Sequence, residues 1–191
     1  CFGLRLLNRR GCFPKFDKFI EQTKDVWTHL VDIRKSFEPR AEELAKKYAL
    51  APYTMFIGSG ALWGETILFS MCILEEMQWK RTRYITSADF FHGTLELVEP
   101  GVPVFLFMGE DENRKLDERV RAFLNRGVTG DTDINIIDTA EFAIPGLDDE
   151  FRVIVSPWIL TVLVTDRLAR YYETVTKHNL KYRRYYHQFD Y

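Results

Sequence analysis

Long apolar runs are missing from this sequence. The longest, Pro157 to Thr165, falls far below the roughly 20 residues that a membrane-crossing helix needs, and no charged-then-apolar leader opens the chain. Cysteine is scarce too. Cys1, Cys12 and Cys72 are an odd number without C-x-x-C or Cys/His spacing, which argues against both a disulfide framework and a structural zinc site. Such thiols suit a reducing compartment, so a cytoplasmic location is expected, with no metal and no membrane partner. Charge of one sign is also lacking: the formal net charge is −2, and nucleic-acid binding needs clustered Lys and Arg on a basic face. Only Lys177 to Arg184 is locally basic, so no nucleic-acid partner is expected. Repeats and low-complexity segments are absent. An initiator methionine is absent as well, since the chain opens Cys-Phe-Gly, and this reads as the start of a piece of a longer protein.

What is present describes one compact domain. A chain of 191 residues that is 46% hydrophobic can enclose a sizeable core. From Pro14 to Lys47, apolar residues at helical spacing (Phe16, Phe19, Val26, Leu30, Ile33, Phe37) predict two amphipathic helices broken near Pro39. A short apolar strand, Tyr53 to Ile57, then leads through Gly58-Ser59-Gly60 into a long helix from Leu62 to Trp79, the opening of a doubly wound α/β unit. Further strands are predicted at Tyr84 to Thr86, Val102 to Met108 and Ile134 to Ile137. Asp89 to Leu97 reads as a loop or short helix, Arg114 to Asn125 as a helix, and Pro157 to Val175 as a long one. Short apolar strands alternating with helices predict an α/β fold with a mainly parallel sheet covered on both faces. The expected division is a helical lead-in or inter-domain connector over residues 1–38 and a domain with a C-terminal tail over 39–191.

Four groups of residues are candidates for chemistry. The turn at Gly58, Ser59 and Gly60 joins a strand's carboxyl end to a helix N-terminus, where free backbone N–H groups and the helix dipole favour an anion or a sugar hydroxyl. It lacks G-x-G-x-x-G and a Walker lysine, and the same glycines serve equally well to turn the chain tightly with no ligand. Glu75 and Glu76 end an otherwise apolar helix beside Trp79. A carboxylate there suits general acid/base work, while two solvated surface charges are the plainer alternative. His92, between Phe91 and Gly93 beyond the second strand, can exchange a proton near neutral pH, or it can simply pack against its aromatic neighbours. His29 is expected to be structural or at the surface. Finally, His178 to Tyr186 mixes cations with aromatics, and Arg184 or His178 could clamp a phosphate or carboxylate. A solvated terminus or a dimer contact fits that composition equally.

Together these residues resemble the sugar isomerase (SIS) domains, in particular the second domain of two-domain phosphosugar enzymes. Leu74-Glu75-Glu76-Met77, with His92 sixteen positions after Glu76 in Phe91-His92-Gly93, is similar to elements of the isomerase half of glucosamine-6-phosphate synthase. Phe91 and Thr94 depart from the lysine and proline found there. Cys72 to Trp79, Phe90 to Thr94, Gly109-Glu110-Asp111 and the Arg183 to Tyr191 ending resemble the fructoselysine- and fructose-aspartate-6-phosphate deglycases. The resemblance implies a flavodoxin-like SIS fold and a cofactor-free deglycase half acting on a sugar phosphate. It implies that Glu76 moves a proton between C1 and C2 and that His92 assists ring opening or amine departure. It also implies a missing N-terminal SIS domain and a homodimer sharing its active site. An isomerase or aminosugar-synthase half, and a non-catalytic sugar-phosphate-sensing module, are the alternatives.

Overall fold

A computed structural model describes residues 2–190 except 128, 129 and 131. Four strands, β1 (Thr54–Gly58), β2 (Thr82–Ile85), β3 (Val104–Met108) and β4 (Ile134–Asp138), form one sheet in the order β2-β1-β3-β4, and every neighbouring pair is parallel. The central strands β1 and β3 are near-continuous apolar runs, as strands covered on both faces must be, and every residue in them is buried. Alternation along the strands sends Phe56, Phe105 and Phe107 to one face, and Met55, Ile57, Val104, Leu106 and Met108 to the other.

The aromatic face carries most of the helices. Against it pack α3 (Val26–Tyr48), the long helix over residues 63–77 and a C-terminal helical unit, through residues such as Phe37, Ala41, Phe69, Leu163 and Tyr172. The opposite face is covered more lightly by α5 (Arg114–Leu124), through Val120 and Leu124, and by Phe90. Helices on both faces of a parallel sheet are the α/β architecture that the sequence predicts. The lead-in helices α1 (Phe2–Arg9) and α2 (Phe16–Thr23) precede α3. Phe13 and Phe19 anchor this lead-in edge-on against Phe151 of the C-terminal helix, with centroids 6.1 and 5.4 Å away.

The break expected near Pro39 is not there. Helix α3 runs through Pro39 to Tyr48, and the chain turns instead between α2 and α3. An interior proline costs about 3 kcal/mol in lost hydrogen bonding and crowding, but Ile33, Phe37, Ala41, Leu44 and Ala45, on both sides of it, are buried in one core. Fully burying a single large apolar side chain contributes about 1.5–3 kcal/mol, so packing outweighs the local penalty. The division expected at residue 38 therefore falls inside a helix.

The two long helices also differ from plain α-helix. After a 3-10 turn at Gly60–Leu62, α4 (Trp63–Ile67) continues as a π-wound stretch, Leu68–Met77. The C-terminal unit begins earlier than the apolar run suggests, as α6 (Asp149–Leu160), passes through π-wound Thr161–Leu168 and ends as α7 (Ala169–Thr176). Its acidic start, Asp149 and Glu150, complements the positive end of the helix dipole. Because α4 leaves the carboxyl end of β1 and returns to the amino end of β2, its last turn sits at the amino end of the sheet.

Candidate functional site

Open parallel sheets usually bind ligands beyond the carboxyl ends of their strands, where the strand order reverses. Here that point lies between β1 and β3, and its polar groups are already engaged with one another. Asp111 accepts the Ala61 N–H at 2.5 Å and the Asn113 N–H at 2.7 Å. Gly60 adopts φ +55°, and a Cβ there would collide with the Asp111 carboxylate. A Cβ on Gly58 would collide with the Thr66 hydroxyl. The Ser59 hydroxyl is buried and accepts the Ser87 N–H at 2.8 Å. Thus Gly58, Ser59 and Gly60 each have a packing or bonding role within the chain, and the first helical N–H faces a carboxylate. Around them Glu110, Asp111, Glu112, Asp149 and Glu150 line a shallow depression, a poor setting for a phosphate.

A buried carboxylate that the sequence reading missed completes this end. Asp117, on α5, is 1% exposed; it accepts the Ser87 hydroxyl at 2.5 Å and the Gly109 N–H at 3.3 Å. Burial pushes its pKa up from the ordinary 3.8 to about 6, against the opposing effect of those two hydrogen bonds. Its only signal in the sequence is an acidic residue on the apolar stripe of α5. Nearby, Arg152 forks onto Glu110 and also donates to the Thr139 and Phe142 carbonyls at 3.0 and 3.1 Å. Arg114 forks onto Asp138 at 2.9 and 2.6 Å, which, with its own bond to Asp117's neighbour Gly109, ties β3 to β4.

The amino end of the sheet differs. Glu75 and Glu76 line a cleft of about 430 Å³ together with Trp79, Lys80, Arg81, Arg183, Arg184, Tyr185 and Tyr186. The cleft exists because the ends of α4 and α7 are stitched together. Buried Gln78 accepts the Thr176 hydroxyl at 2.8 Å and donates to the His178 carbonyl at 2.6 Å. Lys177 takes a left-handed conformation, φ 58°, that ends α7 and turns the tail back over the end of α4. Helix α4 itself stops at Trp79, which adopts φ 53°. That left-handed stop normally falls to glycine or asparagine, and for a side-chain-bearing residue it costs roughly 1–2 kcal/mol. The indole is held by the edge of His178, with centroids 4.4 Å apart, and by the Arg184 guanidinium, 4.4 Å from the ring centroid. The His178 Nε2 is buried and has no hydrogen-bond partner among the described residues.

Within the cleft the two carboxylates are placed differently. Glu75 accepts the Thr82 hydroxyl at 2.6 Å. One oxygen of Glu76 forms an ion pair with the Arg183 Nε at 2.9 Å, and both side chains are partly exposed. The other Glu76 oxygen has no partner among the described residues. Arg183 is steadied by its own bonds to the Leu180 and Tyr182 carbonyls. Lys80 donates to the Ala51 carbonyl at 2.7 Å, and burial holds its ammonium below the usual lysine range. Arg81 and Arg184 meet no carboxylate among the described residues.

His92 does not share this cleft. It ends the 3-10 turn Asp89–His92 beyond the last residue of β2, is exposed and has no hydrogen-bond partner among the described residues. Glu75 abuts the first residue of that strand, and four residues of strand alone extend about 13 Å. Within one chain, then, Glu76 and His92 stand at opposite ends of β2. Of the expected site residues, the structure brings together Glu76, Arg184 and His178, and it adds Trp79, Arg81 and Arg183. His29 borders shallow surface depressions. Among the described residues there is no cluster of metal-ligating side chains and no helix long and apolar enough to cross a membrane.

No family model matches the chain. It is 28% identical over 174 residues to a fructosamine deglycase of Bacillus subtilis, which covers 90% of this chain and 51% of that protein. It is 29% identical over 175 residues to a fructoselysine 6-phosphate deglycase of Escherichia coli, covering 90% of this chain and 47% of that protein. A solved structure from Salmonella typhimurium, described as a phosphosugar isomerase, superposes with a TM-score of 0.88 at 26% identity over 98% of this chain and 57% of its own. A Bacillus subtilis structure with the same description gives 0.84 at 27% identity, over 93% and 53%. The chain thus spans about half the length of the relatives it matches, and the resemblance to the deglycases read from its residues is borne out.

Proposed function

We propose that this chain is one half of a fructosamine 6-phosphate deglycase and supplies the carboxylate that moves the proton. The observation carrying this reading is the placement of Glu76. One of its oxygens is fixed by Arg183, the other is open to a cleft of about 430 Å³ large enough for part of a sugar phosphate, and the chain around it is similar to deglycases over 90% of its length. In the open-chain substrate, Glu76 takes a proton from C1 while the C2 carbonyl oxygen gains one, giving an enaminol. Return of a proton to C2 forms an imine at C1, and water then releases the amine and leaves glucose 6-phosphate. The net reaction consumes one water, requires no redox partner, and uses no metal or cofactor.

His92 is proposed as the second proton carrier. Its exposure at the far end of β2 directs it to a site other than its own chain's cleft, so the reading requires a second subunit that shares its active site. The lead-in helices α1 and α2, rather than the whole of residues 1–38, are read as leading from a preceding SIS half that holds the sugar phosphate. In the complete protein, Glu76→Gln should lower glucose 6-phosphate release from fructose-aspartate or fructoselysine 6-phosphate by about 100- to 10,000-fold, the range for a positioned acid/base group. His92→Ala should do the same. Mixing the two inactive variants should restore part of the activity, because a mixed dimer would hold one intact site. Unchanged turnover in the Glu76 variant would end the assignment.

A further inference from the structure

The imidazole of His92 takes no part in holding His92 in place. It is exposed and has no hydrogen-bond partner among the described residues, whereas an acid/base histidine is ordinarily oriented through its second ring nitrogen. Its aim has to come from the backbone turn Asp89–His92, and that turn is gripped along its length. At its start the Thr86 hydroxyl donates to the Asp89 carboxylate at 2.7 Å and accepts the Asp89 N–H at 3.0 Å. Phe90 is fully buried, with its ring 5.7 Å from that of Phe123 on α5. Phe91 stands edge-on to the same Phe123, with centroids 5.8 Å apart, and carries the Arg119 guanidinium over its face at 4.1 Å. Just past His92, Gly93 takes φ +127°, a conformation that side-chain-bearing residues rarely adopt.

Ser87, ahead of the turn, is where three elements meet. Its N–H donates to the Ser59 hydroxyl beyond β1 at 2.8 Å, and its own hydroxyl donates to Asp117 of α5 at 2.5 Å. The second Asp117 oxygen accepts the Gly109 N–H beyond β3. Ser87 and Asp117 are each 1% exposed. A buried carboxylate is costly to desolvate, and packing of α5 does not call for one: Val120 and Leu124, on the same stripe, are apolar. What Asp117 adds is a strong, directional bond to the residue that leads into the histidine turn.

Resting on the reading of His92 as the second proton carrier, we propose that Ser87 and Asp117 are positioning residues for His92, and that α5, through Asp117 and through the grip of Arg119 and Phe123 on Phe91, sets the direction in which the imidazole is presented. None of these residues touches substrate. Their effect reaches the chemistry through one side chain. It therefore belongs to the site that receives His92, and not to the cleft holding the same chain's Glu76.

The test uses the complete protein and the faster hydrolysed of fructoselysine and fructose-aspartate 6-phosphate. Ser87→Ala should lower kcat about 10- to 100-fold, the loss that follows when a reacting group is displaced by about 1 Å, and leave KM within about three-fold. Mixed dimers, isolated by two different affinity tags, separate positioning from plain destabilisation. Ser87→Ala chains paired with Glu76→Gln chains should recover activity, because one site then joins an intact Glu76 to a correctly aimed His92. Paired with His92→Ala chains they should stay at the level of Ser87→Ala alone, since neither site then has a well-placed imidazole. Arg119→Gln, at an exposed position that folding does not depend on, should show the same pattern with a loss of about two- to five-fold, the worth of an exposed cation–π contact. It decides the matter should Ser87→Ala chains fail to fold. Equal recovery with both partners would overturn the proposal, and so would wild-type turnover in either variant while His92→Ala is inactive. Wild-type turnover in His92→Ala, or hydrolysis of neither compound by the wild-type protein, would instead remove the reading beneath it, and the proposal with it.

Discussion

The two ends of the sheet use polar residues in opposite ways. At the carboxyl ends of β1, β3 and β4, where parallel folds customarily place ligands, the buried polar groups close on each other: Arg152 on Glu110, Arg114 on Asp138, and Asp117 on Ser87 and Gly109. His92, beyond β2, stands exposed without a hydrogen-bond partner among the described residues. At the amino end, Arg81 and Arg184 meet no carboxylate and one Glu76 oxygen has no partner among the described residues, and a tryptophan occupies a glycine's conformation. Satisfied polar groups rigidify a fold, whereas exposed groups held in place without partners are available to something that arrives later. The contrast locates chemistry by unmet bonding rather than by fold convention.

Removing Arg152 should unlock the carboxyl end. Its side chain and that of Glu110 are each 13% exposed, and removing one partner of a buried pair costs about 3–5 kcal/mol because the other charge stays behind. Arg152→Ala should lower the unfolding free energy by that amount, measured by chemical denaturation. A loss below about 1 kcal/mol, the size of an exposed surface pair, would mean that the carboxyl end is not locked. Arg184→Gln, by contrast, should leave denaturation almost unmoved, since Arg184 forms no ion pair among the described residues.

Asp117 gives the next largest effect, and its sign is fixed by burial. Its pKa is pushed up to about 6 from 3.8, so between those values the folded protein holds a proton that the unfolded chain releases. That contribution is fully present below pH 4 and is lost as pH rises through 6. The total is on the order of 3 kcal/mol, because each tenfold difference in proton affinity between the two states is worth about 1.4 kcal/mol. Asp117→Asn should flatten this part of the stability-versus-pH curve. Denaturation at pH 4, 5, 6 and 7 on both proteins reads it directly, and an unchanged slope would place the titration elsewhere.

Much of the fold is legible in the residues. Val104 to Met108 is apolar throughout because both faces of β3 are covered, and α5 shows its stripe at Leu116, Val120 and Leu124. The spacing of Glu76 and His92 suggests a pair but says nothing of their separation within one chain, because reading a helix's direction across the sheet requires knowing that α4 returns to the opposite end. Pro39 misleads, since local propensity is silent about the core on either side of it. The contacts between Glu76 and Arg183, and between Trp79 and Arg184, join residues about a hundred positions apart, and no local pattern announces them. Asp117 is hidden for a related reason: one acid in a helix resembles a solvated charge until Ser87 and Gly109 are seen to close over it.

Substituting Trp79 should change stability least of all. Trp79→Gly releases roughly 1–2 kcal/mol of left-handed strain, but it forfeits the contacts with His178 and Arg184. The indole is 40% exposed, so its burial contributes no more than about 2 kcal/mol, and an exposed cation–π contact adds about 0.5–1 kcal/mol. The terms nearly cancel, and the unfolding free energy should move by less than about 1 kcal/mol. Arg184 would nevertheless lose the surface that orients it, so on the proposed deglycase reading glucose 6-phosphate release by the complete protein should fall while stability holds. Trp79→Phe, which keeps an aromatic face, should recover part of it. If the glycine variant keeps full turnover, the strained stop is only a way of ending α4, and the stacking on Arg184 plays no part in the chemistry of the cleft.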